Sequence, residues 1–439
     1  MTNRRLLSRR RFLTASAGVT AAAAIGRGSV GHAAEPIHFA TWSAAVDTVK
    51  SHISAFEAKT GLKVDYSNTP WAQYREALIT KFVGGAPIDT LWVSDSWLPE
   101  WAEAGWLKPV DQYKTLIAYN DDVNKFCVDS MSYQGKQYGI TYYTDFMGFI
   151  YNEDILTKAG ISNPPETWSE LTEQAKIIKD KKLAEHPLLL SLAKETWLIE
   201  FMSALVFSNG GAFTDDKGNS VMQDPANGAV ATLAWIVDAV KKHNIVSPSC
   251  VETGELAGLK SFSAGQHAFG LIPKYRLRTL NDPKQSEVAG SAKLALMPKG
   301  DKGSHATVGW MRLYGMTPRA QANAERAANT VKLMEWFGGK ADGKYTFQKL
   351  LFNDVGAGFG VKSLFEDPEM RAAYAAYGDV DLIGKQQDLA RKKDVVTPWF
   401  GEWQEVNGSA WQEAILGKNS AEQALKKAAT KWTELKRKS

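Results

Sequence analysis

Cysteine is scarce: Cys127 and Cys250 are the two in 439 residues. Two thiols cannot staple a scaffold or complete a four-sulfur zinc site, and their wide separation leaves one disulfide and two separate buried thiols both open. The seven histidines are scattered and none falls in an HExxH pattern, which speaks against a metal site. There is no GxSxG elbow and no P-loop, and GAGFG (356–360) lacks the preceding strand and following helix of a dinucleotide loop. No cofactor is expected. Beyond residue 34 no apolar run approaches the roughly 18 residues of a membrane helix. A positive excess is missing too. The formal charge of +4 includes six arginines in the first 34 residues, so the remainder carries −2 and offers no footprint for nucleic acid.

Those first 34 residues hold no acid, a basic start and an Ala-rich apolar stretch at 12–26. That is the layout of an export signal. SRRRFLT (8–14) resembles the twin-arginine type, with Arg9 and Arg10 as the pair and Gly31, Ala33 and Ala34 as small residues before cleavage. A periplasmic location is expected. The chain as a whole is 44% hydrophobic and 23% charged, a globular composition. Beyond about 250–300 residues a single core usually stops growing, so two lobes are expected.

IHFATW (37–42) reads as a first strand, and Val49, Ile53 and Phe56 mark one face of a helix ending at Gly61. LKVDYSN alternates like a strand, a helix follows over 71–83, and IDTLWVSD is an apolar strand ending on Asp95 ahead of the short helix WLPEWAEA. This rhythm is that of an α/β domain with a mostly parallel sheet. Longer helical patterns follow, with Thr167 as the N-cap of one at 168 onward, and the tail places Ala424, Leu425, Ala428, Trp432 and Leu435 on one side of a last helix. Within ITYYTDFMGFIYNEDIL (140–156) an apolar, β-prone run keeps Asp145 at its middle. A buried carboxylate without a partner is costly, so this acid has a use.

Several segments then fall into a familiar order. YNEDILTKAGISNPPETWSELTEQAKIIK, GAPIDTLWVSDSWLPEWAEAGWLKPVD, FSNGGAF, LKSFSAGQHAFGLI and AILGKNSAEQALKKAATKW resemble the corresponding parts of extracellular solute-binding proteins of the maltose-binding-protein type. The resemblance implies two α/β lobes joined by three crossings, the type II periplasmic binding protein fold, with ligand in the cleft between lobes. The crossings would fall at 142–151, 298–316 and 356–363. One lobe would combine 35–145 with 311–358, the other 146–310 with 359–439.

On this alignment Asp145 lies on the first crossing, at the place of a sugar-contacting acid; the alternatives are a turn cap or a lysine partner at the surface. Asp95 matches a sugar-binding aspartate, or caps the helix after it. Trp42 ends the first strand, or is a core residue. Tyr143 joins Asp145 on the crossing. Tyr275 sits in PKYR where the family carries a stacking Trp, a departure that argues against long-oligosaccharide stacking. Trp310 and Arg312 lie on the second crossing, and Trp399 and Trp403 fall near a further aromatic region or pack under the final helices. Rings for C–H faces and carboxylates for hydroxyls are what a sugar site needs.

The expected function is capture of a carbohydrate and delivery to the permease of an ABC importer by hinge closure, by a monomer and without catalysis. A polyamine-binding protein is the first alternative, favoured by an excess of site acids and opposed by Arg312. A secreted glycosidase with two distant carboxylates is the second.

Overall fold

The computed structural model describes residues 35–375 and 378–439, and Pro36–Ser439 is one compact unit. The expected export signal lies outside the described residues. The strand and helix alternation at the start is as read: β1 (Ile37–Trp42), a helix Val46–Thr60, β2 (Val64–Thr69), a helix Trp71–Val83, β3 (Thr90–Ser94) and a short helix Leu98–Glu103. Val49, Ile53 and Phe56 are buried, and Gly61 ends their helix in the left-handed region at φ 73°, which glycine adopts without strain. A small hairpin, β4 (Ser132–Tyr133) and β5 (Lys136–Gln137), precedes the long β6 (Gly139–Asn152). Then come β7 (Leu188–Leu189), β8 (Phe269–Pro273), β9 (Ala292–Ala295), β10 (Thr307–Met316) and β11 (Ala390–Arg391).

Among the described residues nine of these strands form one sheet, with the path β2-β1-β3-β10-β6-β8-β7, β9 attached to β6 and β11 to β10. The expected parallel pairing holds for β1 with β2 and β3, for β7 with β8 and for β11 with β10. β10 runs antiparallel to β3 and β6, and β6 antiparallel to β8 and β9; antiparallel neighbours need no crossover helix.

β6 changes partners along its length. Gly139 to Phe146 pair with β10, and the stretch from Met147 onward pairs with β8 and β9. Asn152 then accepts the N–H groups of Asp154 and Ile155 and turns the strand into the helix Glu153–Ala159. The predicted cap Thr167 accepts from Glu170 N–H and starts the helix Trp168–Asp180. In the last helix, Ala421–Lys438, all five tail positions read as one face are buried.

Two hydrophobic clusters result. One gathers β1–β3, the first half of β6 and the helices Ala324–Gly338 and Thr346–Val355; the other gathers the helices Trp168–Asp180, Leu198–Ser208, Phe400–Ile415 and Ala421–Lys438. The second half of β6 serves both, since successive side chains face opposite ways: Ile150 joins the first cluster, Met147 and Phe149 the second. Cys127 and Cys250 are free thiols in different clusters, which closes the disulfide question. Among the described residues no helix is long and apolar enough to cross a membrane.

Candidate functional site

The register of β6 and β10 sets Trp310 opposite Asp145 and Arg312 opposite Tyr143. Cross-strand partners share a face, as do residues two apart, so these four side chains stand on one side of the crossing pair. A bulge follows Arg312, and the extra residue, Tyr142, lays its ring on Trp92 with centroids 3.9 Å apart.

Asp145 is fully buried, and what it faces is Lys274, whose Nζ lies 3.2 Å from Oδ2. Lys274 also donates to Tyr374 Oη at 3.3 Å. Burial pushes the Asp145 carboxyl above its usual range, against the pull of Lys274 and the Phe146 N–H. The third crossing closes over this pair: Gly358 O accepts from Thr144 N–H, and a Cβ at Gly358 would meet Lys274 Nζ at 2.7 Å.

Asp95 opens a short turn after β3, and Trp97, not Asp95, stands at the cap of the next helix. Its carboxylate takes Arg312 Nη1 at 2.9 Å, Met311 N–H at 3.2 Å and Lys393 Nζ at 3.2 Å. Lys393 continues to Glu200 Oε1 at 3.0 Å, so a buried chain of charge joins the first cluster's strands to the helix Leu198–Ser208 of the second. Burial raises the Asp95 carboxyl, but Lys393 and Arg312 more than offset it and hold it below its ordinary value.

Aromatic rings surround these charges. Trp71 is 37% exposed, stacks on Trp97 at 5.2 Å and 19°, and lies 5.6 Å under the Arg312 guanidinium. Trp42 is buried edge-on against Trp71, Tyr74, Trp92 and Tyr142. The Trp310 Nε1–H donates to Tyr143 Oη at 3.2 Å, and its ring meets Trp197 edge-on at 5.1 Å. Tyr275 is half-buried beneath the Arg276 guanidinium, which grips Glu255 at 2.8 and 3.0 Å.

Seven of the nine residues expected at the site are thus gathered around the crossing strands: Trp42, Asp95, Tyr143, Asp145, Tyr275, Trp310 and Arg312. Trp399 and Trp403 lie elsewhere. Trp403 is fully buried, donates to Ala428 O and packs on Trp432; Trp399 is half-buried on the same Trp432. Trp71, Trp97, Trp197, Lys274, Glu200 and Lys393 were not foreseen. For Glu200 the signal was present: an acid inside the apolar run LIEFMSALVFS, the same anomaly that drew notice to Asp145.

The opposite face of the crossing pair is different. Thr144 and Gly309 face the helix Lys125–Ser130, where Thr144 Oγ1 meets Cys127 Sγ at 3.5 Å. Beside that helix opens a groove of about 1110 Å³, lined by Phe126, Asp129, Tyr133, Arg391 and Thr397, with Trp399, Asp95 and Lys393 also in its wall. Its volume is large and it reaches the Asp95–Lys393 pair, while the half-exposed rings Trp71, Trp97, Trp197 and Tyr275 are not part of its wall. Among the described residues no group of three or more His, Cys, Asp or Glu is placed to hold a metal ion.

Two clusters sharing antiparallel crossing strands, with rings and buried ion pairs between them, define a two-lobed α/β protein. The sequence matches bacterial extracellular solute-binding proteins over residues 35–344, and the chain belongs to that family. It is 22% identical to a binding protein of Brucella abortus over 380 residues, 86% of this chain and 87% of that one. Among solved structures, maltose-bound MalE3 of T. maritima superposes with a TM-score of 0.76 at 22% identity, over 91% of this chain and 99% of the other. A solute-binding protein of an ABC transporter from Agrobacterium radiobacter K84, in complex with ribitol, gives 0.74 at 17% identity, over 91% and 98%. These likenesses establish the two-lobed periplasmic binding protein fold.

Proposed function

We propose that the protein binds a carbohydrate in the periplasm and presents it, as a monomer, to the permease of an ABC importer. The observation that carries this is the ring of half-exposed aromatics, Trp71, Trp97, Tyr143, Trp197 and Tyr275, set beside carboxylates already fixed by protein cations. Rings of that kind cover the C–H faces of a sugar while phenol, indole and guanidinium groups meet its hydroxyls. The maltose and ribitol held by the two structural neighbours are ligands of this chemical kind. Lobes 35–145 with 311–358 and 146–310 with 359–439 would rotate about β6, β10 and the segment 356–363, closing on ligand contacts from both sides. Export by the twin-arginine route fits residues 8–14. No bond is made or broken in this cycle, so the protein is not an enzyme.

The polyamine alternative loses support, because that ligand needs acids free to meet its ammonium groups and the acids here are paired. The test is a thermal-shift and tryptophan-fluorescence titration of the protein with neutral mono-, di- and oligosaccharides and polyols. A ligand at a hundred times its Kd adds about 2.7 kcal/mol to the native state. Stabilisation by at least one of them is expected, with a change in emission from the clustered tryptophans. Silence from the whole series, or turnover of a glycoside, overturns the reading.

A further inference from the structure

Lys393 stands between the two hydrophobic clusters, and its neighbours in the chain show which of them carries it. Arg391 donates to Gly211 O at 3.3 Å and its guanidinium lies 4.1 Å from the centre of the Phe207 ring, while Asp394 accepts the N–H groups of Phe213 at 2.8 Å and Thr214 at 3.2 Å. Phe207 and Phe213 belong to the second cluster, so Lys393 is fixed to that side and its pair with Glu200 joins two groups of one body. Asp95 is fixed to the other body: it follows β3 and accepts from Ser96 N–H, Met311 N–H and Arg312. The contact of Lys393 with Asp95, at 3.2 Å to Oδ2 and 3.3 Å to Oδ1, therefore links one body to the other.

That link can part without stranding a charge. Asp95 keeps Arg312 and two backbone N–H groups, and Lys393 keeps Glu200, whose buried Oε2 has no partner among the described residues and can take the released ammonium. Parting Lys393 from Glu200, Arg312 from Asp95, or Lys274 from Asp145 instead leaves Glu200, Arg312 or Asp145 with no charged partner among the described residues, which is costly for a buried ion. Asp95 and Lys393 both lie in the wall of the 1110 Å³ groove, so water is at hand when they separate. Resting on the hinge rotation proposed above, whichever ligand is bound, we infer that Lys393 and Asp95 form the latch of the hinge: a contact made as the lobes close and given up as they open, with Glu200 and Arg312 holding the two ions in the open form. Because a ligand touched from both lobes favours the closed form, losing the latch weakens apparent binding.

Small-angle X-ray scattering of the full chain without ligand reads the latch. Lys393→Met with Glu200→Gln removes it and leaves no acid stranded, and the radius of gyration should exceed that of the unaltered protein. Glu200→Gln alone takes away the partner to which Lys393 retreats, so this variant should be no larger than the unaltered protein. At saturation with the sugar or polyol that raises the Tm most, all three radii should coincide. The Kd for that compound should be about tenfold weaker in the double variant than in Glu200→Gln, the worth of one hydrogen bond to a charged group. A double variant no larger than the unaltered protein, or a Glu200→Gln protein larger than it, overturns the latch. So does a double variant that stays expanded at saturation, because it has lost packing instead. If no sugar or polyol binds, the carbohydrate reading falls by its own titration, and the ligand-free radii still decide the latch.

Discussion

The two faces of the crossing strands β6 and β10 are built on opposite plans. One carries long side chains, Tyr143, Asp145, Trp310 and Arg312, whose ends are fixed by partners from remote segments. The other carries Thr144, Phe146 and Met311 but is thin at Gly309, where a helix lies on the backbone: a Cβ there would fall 2.5 Å from the Phe126 ring, and one at Gly360, on the segment 356–363 beside it, would fall 2.7 Å from Cys127 Sγ. Substitutions on the first face should therefore be punished through charge, and on the second through volume. The 1110 Å³ groove reaches from the helix Lys125–Ser130 to the Asp95–Lys393 pair and so borders both plans, and space alone does not locate the chemistry.

The sharpest test of the charged plan is Lys393→Met. It leaves Glu200 without its cation and strips Asp95 of one of two, and breaking a buried pair costs about 3–5 kcal/mol. Urea unfolding should show that loss, and adding Glu200→Gln should restore a good part of it. A loss below about 1 kcal/mol, the range of surface pairs, would erase the distinction between the faces.

Asp95→Asn comes next, at about 1.5–3 kcal/mol near neutral pH, the worth of hydrogen bonds to a charged group. Because the folded protein holds the Asp95 carboxyl below its ordinary 3.8, its contribution is complete above that value and fades as pH falls through the folded one. The stability gap between the unaltered protein and the variant should narrow on acidification. Asp145 is raised instead, so its term has the opposite sign: it favours the fold at low pH and that benefit is lost as pH rises through the folded value. Urea midpoints for both Asn variants from pH 3 to 7 should diverge in slope.

These pairs also mark where sequence reading stopped. The alternation of strand and helix, the caps at Gly61 and Thr167 and the long first crossing were legible because each is a local pattern within a few residues. That Asp145 was anomalous was legible for the same reason. Its partner was not, since Lys274 lies far along the chain in a short PKYR turn whose two cations look solvated. Lys393 was hidden in RKKD, where three neighbouring cations read as surface, though its side chain has no exposure at all. Trp403 shows the reverse error: a tryptophan near the expected site is core packing under the last helix. The parallel-sheet expectation failed where β6 and β10 pair with each other and with β3, β8 and β9, and held for β7 with β8 and β11 with β10.

On the volume-limited face, Gly309→Ala should cost about 1–3 kcal/mol, the range of overpacking. The obstacle is the Phe126 ring rather than backbone, so Phe126→Leu should rescue part of the loss, and the coupling in a double-mutant cycle measures how much. Purely additive costs would show that the helix Lys125–Ser130 does not rest on Gly309 in the way the geometry requires.

The smallest effect on stability is expected where the effect on function should be plain. Trp71 is the most exposed ring of the aromatic face, and its contacts, Trp97 in a stack, Trp42 edge-on and Arg312 above, remain packed on other neighbours when it is removed. Trp71→Ala should thus shift the urea midpoint by no more than about 0.5 kcal/mol, as surface changes do. A ligand stacked there loses an interaction of about 0.5–1.5 kcal/mol, which is roughly two- to tenfold in Kd. Trp399→Ala, on the groove side, is the matched control: it removes an equal ring and should leave Kd unchanged. If Trp399→Ala weakens sugar binding and Trp71→Ala does not, the ligand lies in the 1110 Å³ groove, and the roles of the two faces are reversed.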